Sequence, residues 1–219
     1  MHPVLRLFED TISGGAPDVS LPGLPRMIFV VHGSVIIEGK SFSDGEAWNG
    51  TGAVALKPGQ DGVTVWRYEL APAGSKGGAA NGSGVRSLEK LSAALETLPK
   101  GELLLRGDSV AFPPGGCAFL HRHQGPGIRC LIGGGIRIDT HGRSTSYGPG
   151  AAWYESGPDS VFAQAAMDRP SRFIRVMILP RSLLGGKSSI ELLNEEDKSK
   201  PRSQQYKIFA DAPIEVPKA

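Results

Sequence analysis

The sequence predicts an all-β fold made of short antiparallel strands. Its apolar segments are short, rich in β-branched residues, and bounded by Gly, Pro, Asp or Ser. Residues 62–70 alternate apolar and polar side chains, as a half-buried strand does. The 219 residues include 30 Gly and 17 Pro, so the chain turns often. This spacing of strands and turns is typical of an antiparallel sandwich or barrel.

The predicted strands fall into two groups on either side of a Gly-rich segment. The first group covers residues 27–31, 34–37 and 62–70, and the second covers residues 129–132, 136–138, 160–163 and 172–179. Residues 71–84, rich in Gly, Ala and Ser, have the composition of a flexible linker. Residues 203–209 predict one further strand in the C-terminal tail.

One segment predicts a helix. Leucines at positions 88, 91, 95 and 98 would lie on one helical face, with Ser87 as the N-cap and Pro99 just beyond the end. We therefore expect a short helix in the connection between the two groups of strands.

The two groups of strands resemble each other weakly. Ala47-Trp48 recurs as Ala152-Trp153, and residues 67–72 recur as residues 175–180. A repeated β unit explains both matches, with chance matching as the alternative. The predicted organisation is an N-terminal lobe in residues 1–72, a linker with a helix in 73–100, a C-terminal lobe in 101–180 and an arm in 181–219.

Composition excludes some classes of function. The net charge of +2 comes from 24 basic and 22 acidic residues, which is too balanced for nucleic-acid or membrane-surface binding. Cys117 and Cys130 provide no disulfide framework. No apolar run would span a membrane, and an acidic pair stands where a signal peptide needs apolar residues. We expect a cytoplasmic protein.

The segment GCAFLHRHQGPGIR, residues 116–129, contains two of the five histidines. In an extended strand, His121 and His123 share one face and can point at the same atom. By the same alternation Cys117 and Phe119 join that face, and Arg129 faces inward from the next strand.

This segment resembles the first sequence motif of the cupin family, in which a Gly precedes His-x-His and a Glu follows. Residues 149–164 are a weaker counterpart of the second motif. The resemblance implies two antiparallel β-barrel lobes of jelly-roll type, a bicupin, and a homodimer that pairs through its sheets. It also implies a divalent metal (iron, manganese, nickel or zinc) on His121 and His123.

The departures from the cupin motifs concern the remaining ligands. The Glu position falls on Gly127 or Ile128, and the second-motif His position on Ser160 or Val161, none of which is a strong ligand. In the N-terminal lobe, aligning Arg26 with Arg129 puts Asp18 and Ser20 at the histidine positions. We therefore expect no metal in the N-terminal lobe and a degenerate metal site in the C-terminal lobe.

The pocket predicted in the C-terminal lobe is lined by Phe119, His121, His123, Arg129 and Gln164. An Arg beside two imidazoles favours an anion over a metal cation. Alternatively, Arg129 pairs with a carboxylate of the same lobe. Glu155 is interpreted as a surface turn residue, or as an acid or base if it faces the cavity.

Three functions remain open. The first is a small-molecule-binding cupin protein, for an anionic or polar metabolite, with His121 and His123 as candidate catalytic residues if a reaction occurs. The second is a metal-dependent dioxygenase, lyase or isomerase that holds its metal on the two histidines. The third is a structural or interaction scaffold.

Overall fold

The computed structural model describes residues 2–75 and 77–218 and divides the chain into two compact units. One unit runs to Leu95 and also takes the residues that follow Pro213, and the other is Glu96–Pro213. We call them the N-terminal and C-terminal lobes. Both lobes are built from antiparallel strands, so the all-β prediction is confirmed. No helix in the described part of the chain is long and apolar enough to cross a membrane.

The N-terminal lobe is a seven-stranded antiparallel sheet folded over one apolar core. Its strands are β1 Val4–Ile12, β2 Val19–Leu21, β3 Arg26–Ile37, β4 Lys40–Ser43, β5 Ala47–Gly50, β6 Val54–Ala71 and β7 Val85–Ala94. The order is β4-β3-β6-β1-β7, with β2 paired to β6 and β5 to β3. The long strands β3 and β6 each pair with several neighbours.

The C-terminal lobe has two five-stranded sheets. Its strands are β8 Leu103–Phe112, β9 Cys117–His123, β10 Gly127–Gly133, β11 Ile136–Thr140, β12 Arg143–Tyr147, β13 Ala152–Glu155, β14 Val161–Ala165, β15 Ser171–Pro180, β16 Ile190–Leu192 and β17 Gln205–Ile214. One sheet has the order β13-β10-β15-β8-β17 and the other β12-β11-β14-β9-β16. Apolar side chains from strands of both sheets form one core cluster.

The helix predicted for residues 87–98 is wrong. Residues 85–94 are instead strand β7, which pairs antiparallel with β1 along its length. Pairing with β1 supplies the backbone hydrogen bonds of this segment, and tertiary context of this kind overrides a local helical pattern. The leucines do not share one buried face: Leu95 is 1% exposed and Leu88 is 47% exposed.

The C-terminal tail contributes strands to the C-terminal lobe. The strand predicted in residues 203–209 is present within β17 Gln205–Ile214, which lies next to β8 at the edge of one sheet. Strand β16 pairs with β9 at the edge of the other sheet, where Ile190 lies opposite His123. Two short 3-10 helices, Arg181–Leu183 and Glu195–Ser199, connect these elements.

The sheet registers show which positions of the two lobes correspond. Trp48 lies opposite Ile28 in the N-terminal lobe, and Trp153 lies opposite Arg129 in the C-terminal lobe. Matching the tryptophans therefore matches Ile28 with Arg129. The alignment of Arg26 with Arg129 that the sequence predicted is wrong by two positions, because the pattern gave no register.

The same comparison locates the counterparts of the histidines. Eight residues beyond each tryptophan come Leu56 and Val161, which lie opposite Val19 and His121 respectively. Val19 and Leu21 thus occupy the histidine positions in the N-terminal lobe, and both are buried. The expected counterparts Asp18 and Ser20 are each one residue off and lie on the exposed face.

Candidate functional site

The C-terminal lobe encloses a small cavity between its two sheets. The volume of this cavity in which a water molecule can be centred is ≈ 20 Å³. The polar side chains of its wall are His121, His123, Arg129, Glu155, Arg175, Gln204 and Tyr206. The remaining lining is mostly apolar, from the same sheets that form the core.

A β-bulge in β9 aims the two histidines into this cavity. The register between β14 and β9 shifts between Val161, opposite His121, and Ala163, opposite Ala118. The extra residue in β9 reverses the alternation, so that Ala118, His121 and His123 face inward.

Two residues of the predicted pocket lining, Phe119 and Gln164, do not face the cavity. Phe119 is half-buried on the other side of the strand, where Lys200 Nζ lies 5.4 Å from its ring centroid. Gln164 alternates with the buried residues of β14 and donates from Nε2 to the carbonyl oxygen of Gly115 at 2.6 Å. Neither Phe119 nor Gln164 lines the cavity.

The two imidazoles meet edge to face. The His121 Nε2 and His123 Nε2 atoms are 3.2 Å apart, and His121 Nδ1 lies 2.6 Å from the carbonyl oxygen of Phe119. Since a carbonyl only accepts, His121 carries its proton on Nδ1 and its Nε2 is an acceptor. His123 Nε2 then carries the proton that faces His121. His123 Nδ1 is buried and has no hydrogen-bond partner among the described residues.

Glu155 is part of this cluster and not a surface turn residue. It is 8% exposed, at the end of β13. The indole N–H of Trp153 donates to its Oε1 at 2.8 Å, and its Oε2 lies 2.8 Å from Arg129 Nη2 and 3.2 Å from His123 Nε2. The interpretation of Glu155 as a turn residue fails because Trp153 and Glu155, two residues apart in a strand, share the inward face.

The position of Glu155 explains the missing motif glutamate. Glu155 lies directly opposite Gly127, one of the two positions at which the cupin motif would carry its Glu. A Cβ at Gly127 would lie 2.4 Å from the carbonyl oxygen of Val176 and 2.7 Å from Met177 Cγ. Strand β10 therefore has no room for a side chain there, and the carboxylate comes from the neighbouring strand.

We expect Gly127→Ala to destabilise the protein by roughly 1–3 kcal/mol, since the added methyl group overpacks a closed contact with β15. The free energy of unfolding from urea denaturation measures this. Gly133→Ala, in the same strand, is the matched control, because nothing lies within 4 Å of a Cβ there. Equal losses in the two variants would contradict the contact at Gly127.

Arg129 faces the cavity but is held by Glu155. It is 1% exposed, and its Nη1 also donates to the carbonyl oxygen of Gly127 at 2.7 Å. Burial lowers the pKa of Arg129 to about 10, with Glu155 opposing the shift. Arg129 thus stays protonated at neutral pH. Of the two arrangements that the sequence left open, the structure has the one in which Arg129 pairs with a carboxylate of its own lobe.

The charges inside the C-terminal lobe balance. Arg175 makes a bidentate ion pair with Asp108, at 2.7 and 2.9 Å, next to the pair of Arg129 with Glu155. Burial lowers the pKa of His121, and it lowers that of His123 to about 3. Burial alone would raise the pKa of Glu155, but the Arg129 charge and the contacts with His123 and His121 together outweigh it, and the pKa falls. Two cations, two anions and two neutral imidazoles remain.

The donor set does not fit a metal cation. The two imidazole Nε2 atoms are a plausible pair of donors. The nearest carboxylate oxygen, Glu155 Oε2, is already bound to the Arg129 guanidinium, which repels a dication. No three His, Cys, Asp or Glu side chains among residues 2–75 and 77–218 are arranged to hold a metal ion.

Comparison with known proteins identifies the fold. The chain is similar to solved structures of oxalate decarboxylase from Bacillus subtilis, with a TM-score of 0.61 at 13% identity over 90% of this chain and 73% of that one. Another structure of that enzyme, described for its Mn(II) centres, gives 0.61 at 12% identity over the same shares. A cupin 2 conserved barrel domain protein from Leptotrichia buccalis gives 0.49 at 12% identity over 81% and 84%.

The likeness to oxalate decarboxylase shows that the chain shares the fold of those structures, an all-β fold as the sequence resemblance predicted. At such identities the likeness shows the fold alone. No protein-family model matches the chain, and no curated protein matches it.

Proposed function

We propose that the C-terminal lobe binds a small, neutral, polar molecule that carries hydrogen-bond donors. The observation that carries this proposal is the difference between the lobes. Where the C-terminal lobe has His121, His123 and Arg129, the N-terminal lobe has apolar side chains, namely Val19, Leu21 and Ile28. The N-terminal lobe therefore packs without polar side chains at these three positions, although it buries charged groups elsewhere, among them Asp10, Arg67 and Glu69. Burying such groups costs stability, which favours a role in binding over one in packing.

The unpaired atoms support a ligand that donates. Four buried atoms of the cavity wall make no hydrogen bond within the described chain: His123 Nδ1, Gln204 Oε1, Arg129 Nη2 and Glu155 Oε2. The last two face each other as an ion pair at 2.8 Å, so His123 Nδ1 and Gln204 Oε1 are the two without any partner. In the neutral imidazole assigned above, Nδ1 is an acceptor, as is an amide oxygen. A hydroxyl or amide N–H would satisfy either. An anion would find the guanidinium groups of Arg129 and Arg175 already paired with carboxylates.

The volume limits the ligand to a few atoms unless the wall moves. A water molecule needs about 10–15 Å³ of such space. The wall includes Ile190, Gln204 and Tyr206, from the C-terminal segment at the sheet edges. Displacement of that segment would admit a larger molecule, so we propose that ligands enter from this side.

The decisive test replaces the histidines with their N-terminal counterparts. We expect His121→Val/His123→Leu to fold but to lose binding, because the variant recreates the apolar wall of the other lobe. A panel of small polyols and amides, with a matched carboxylate for each, is screened by thermal unfolding. A ligand at 100 times its Kd stabilises by about 2.7 kcal/mol, which raises Tm by roughly 5–10 °C in a protein of this size.

Three outcomes contradict the proposal. Stabilisation by the carboxylates but not by their neutral partners, lost in the histidine variant, would make the interior ligand an anion. Equal stabilisation of wild type and variant would place binding elsewhere. Near-stoichiometric iron, manganese, nickel or zinc in untagged wild-type protein, lost in the variant, would favour the metal-dependent enzyme.

A further inference from the structure

A second cleft lies outside the barrel interior of the C-terminal lobe. Its volume is ≈ 210 Å³, about ten times that of the interior cavity. It is lined by Arg106, Asp108, Arg175, Gly186, Lys187, Ser188, Ser189, Ile190, Arg202, Tyr206 and Ile208. Arg175, Ile190 and Tyr206 line both spaces and separate them.

The cleft has more positive than negative charge. Arg106 pairs with Asp211 at 3.0 Å, and Arg175 pairs with Asp108. The carboxylates nearest to the cleft, Asp211 and Asp108, are therefore already in ion pairs. Lys187 and Arg202 have no ion pair within the described chain, and Lys187 Nζ instead donates to the carbonyl oxygen of Ser182 at 3.0 Å. Two cationic side chains therefore remain for a ligand.

The wall next to these cations is apolar. Tyr206 and Ile208 of β17 are 42% and 44% exposed and lie two residues apart, on the same face of the strand. The Arg175 guanidinium lies 5.7 Å from the centroid of the Tyr206 ring and fixes one face of it. A ring or an aliphatic chain can pack on this wall while its charged end reaches Lys187 or Arg202.

We propose that this cleft binds a small organic anion, a carboxylate attached to an aromatic or aliphatic body. The site is distinct from the interior cavity in its chemistry, since here two cations lack counter-charges, whereas in the cavity the cations are paired. It does not depend on the ligand proposed for the interior. The carboxylate binds at Lys187 and Arg202, and the body packs on Tyr206 and Ile208.

The test uses 4-fluorobenzoate as the probe and its neutral analogue 4-fluorobenzamide, both followed by fluorine NMR titration. We expect the benzoate to bind wild type roughly tenfold more tightly than the benzamide, which corresponds to one charge-assisted contact. Lys187→Met/Arg202→Met should weaken benzoate binding at least tenfold. The benzamide should be almost unaffected by that variant.

The matched control is Lys100→Met/Arg143→Met, which removes the same charge from exposed positions of the same lobe outside the cleft. It should bind the benzoate as wild type does. Tyr206→Ala should weaken both probes, and His121→Val/His123→Leu neither. Equal losses in the two charge variants, equal affinity of the two probes, or no benzoate binding to wild type would overturn the proposal.

Discussion

Glu155→Gln is expected to destabilise the C-terminal lobe by roughly 3–5 kcal/mol, the usual cost of removing one partner from a buried ion pair. Arg129 is 1% exposed and its Nη2 lies 2.8 Å from Glu155 Oε2. A glutamine in that place leaves the Arg129 guanidinium without its counter-charge. Its amide N–H groups would also face the N–H donors that surround the carboxylate. The free energy of unfolding in urea at neutral pH measures the loss.

Two further variants make this result specific. Arg129→Met/Glu155→Gln should be more stable than Glu155→Gln alone, because the uncompensated charge is gone. Glu191→Gln removes an exposed partner of Arg122, an ion pair of 2.8 Å, and should lower the free energy of unfolding far less than Glu155→Gln does. A similarly small loss in Glu155→Gln would mean that Arg129 does not depend on this carboxylate.

The second large effect is loss of stability in acid. Burial lowers the pKa of His123 to about 3, against an ordinary value near 6.5. Below about pH 6.5, His123 binds a proton in the unfolded chain but stays neutral in the folded protein. The free energy of unfolding therefore decreases as the pH is lowered, down to about pH 3. His121 acts in the same sense, since its pKa is also lowered. For His123 alone the loss is on the order of 5 kcal/mol.

Glu155 extends this loss to lower pH. Its pKa is lowered, so its stabilising charge is present above the unfolded value near 4.5 and is lost as pH falls. Urea midpoints measured from pH 7.5 to 4 report the histidine part. His123→Leu should flatten the curve over that range while retaining stability at pH 7.5. Parallel curves for wild type and variant would show that His123 is not the group responsible.

The sequence predicted the strands and the histidine pair because both have local signals. Alternating polarity and turn residues indicate strands. The two histidines of a His-x-His sequence share one face whenever that segment is a strand. The helix predicted at residues 87–98 was wrong because its local pattern competed with pairing to β1, whose residues lie 73–90 positions away in sequence.

The rest of the site depends on register. Phe119 was misplaced because a bulge, which has no clear sequence signal, changes the inward face of β9. Glu155 enters through the pairing of β13 with β10, opposite Gly127. One signal was available: Trp153 matched Trp48 of the first lobe, and a core Trp at one position of a strand puts residue 155 on the same inner face.

If ligands enter the interior cavity as proposed, we expect the C-terminal strands that close it to set the rate of ligand exchange. Ile190 and Tyr206 lie on the edge strands β16 and β17, and Gln204 directly precedes β17. Elements at a sheet edge are expected to open at lower free energy than the centre of a sheet. For a molecule held behind them, both arrival and departure wait for the same local opening. The observed rate of binding then reaches a plateau at high ligand concentration, because opening becomes rate-limiting. Dissociation of the ligand is limited by the same opening. On the proposed function, we expect the lobe to retain its ligand between openings of these edge elements.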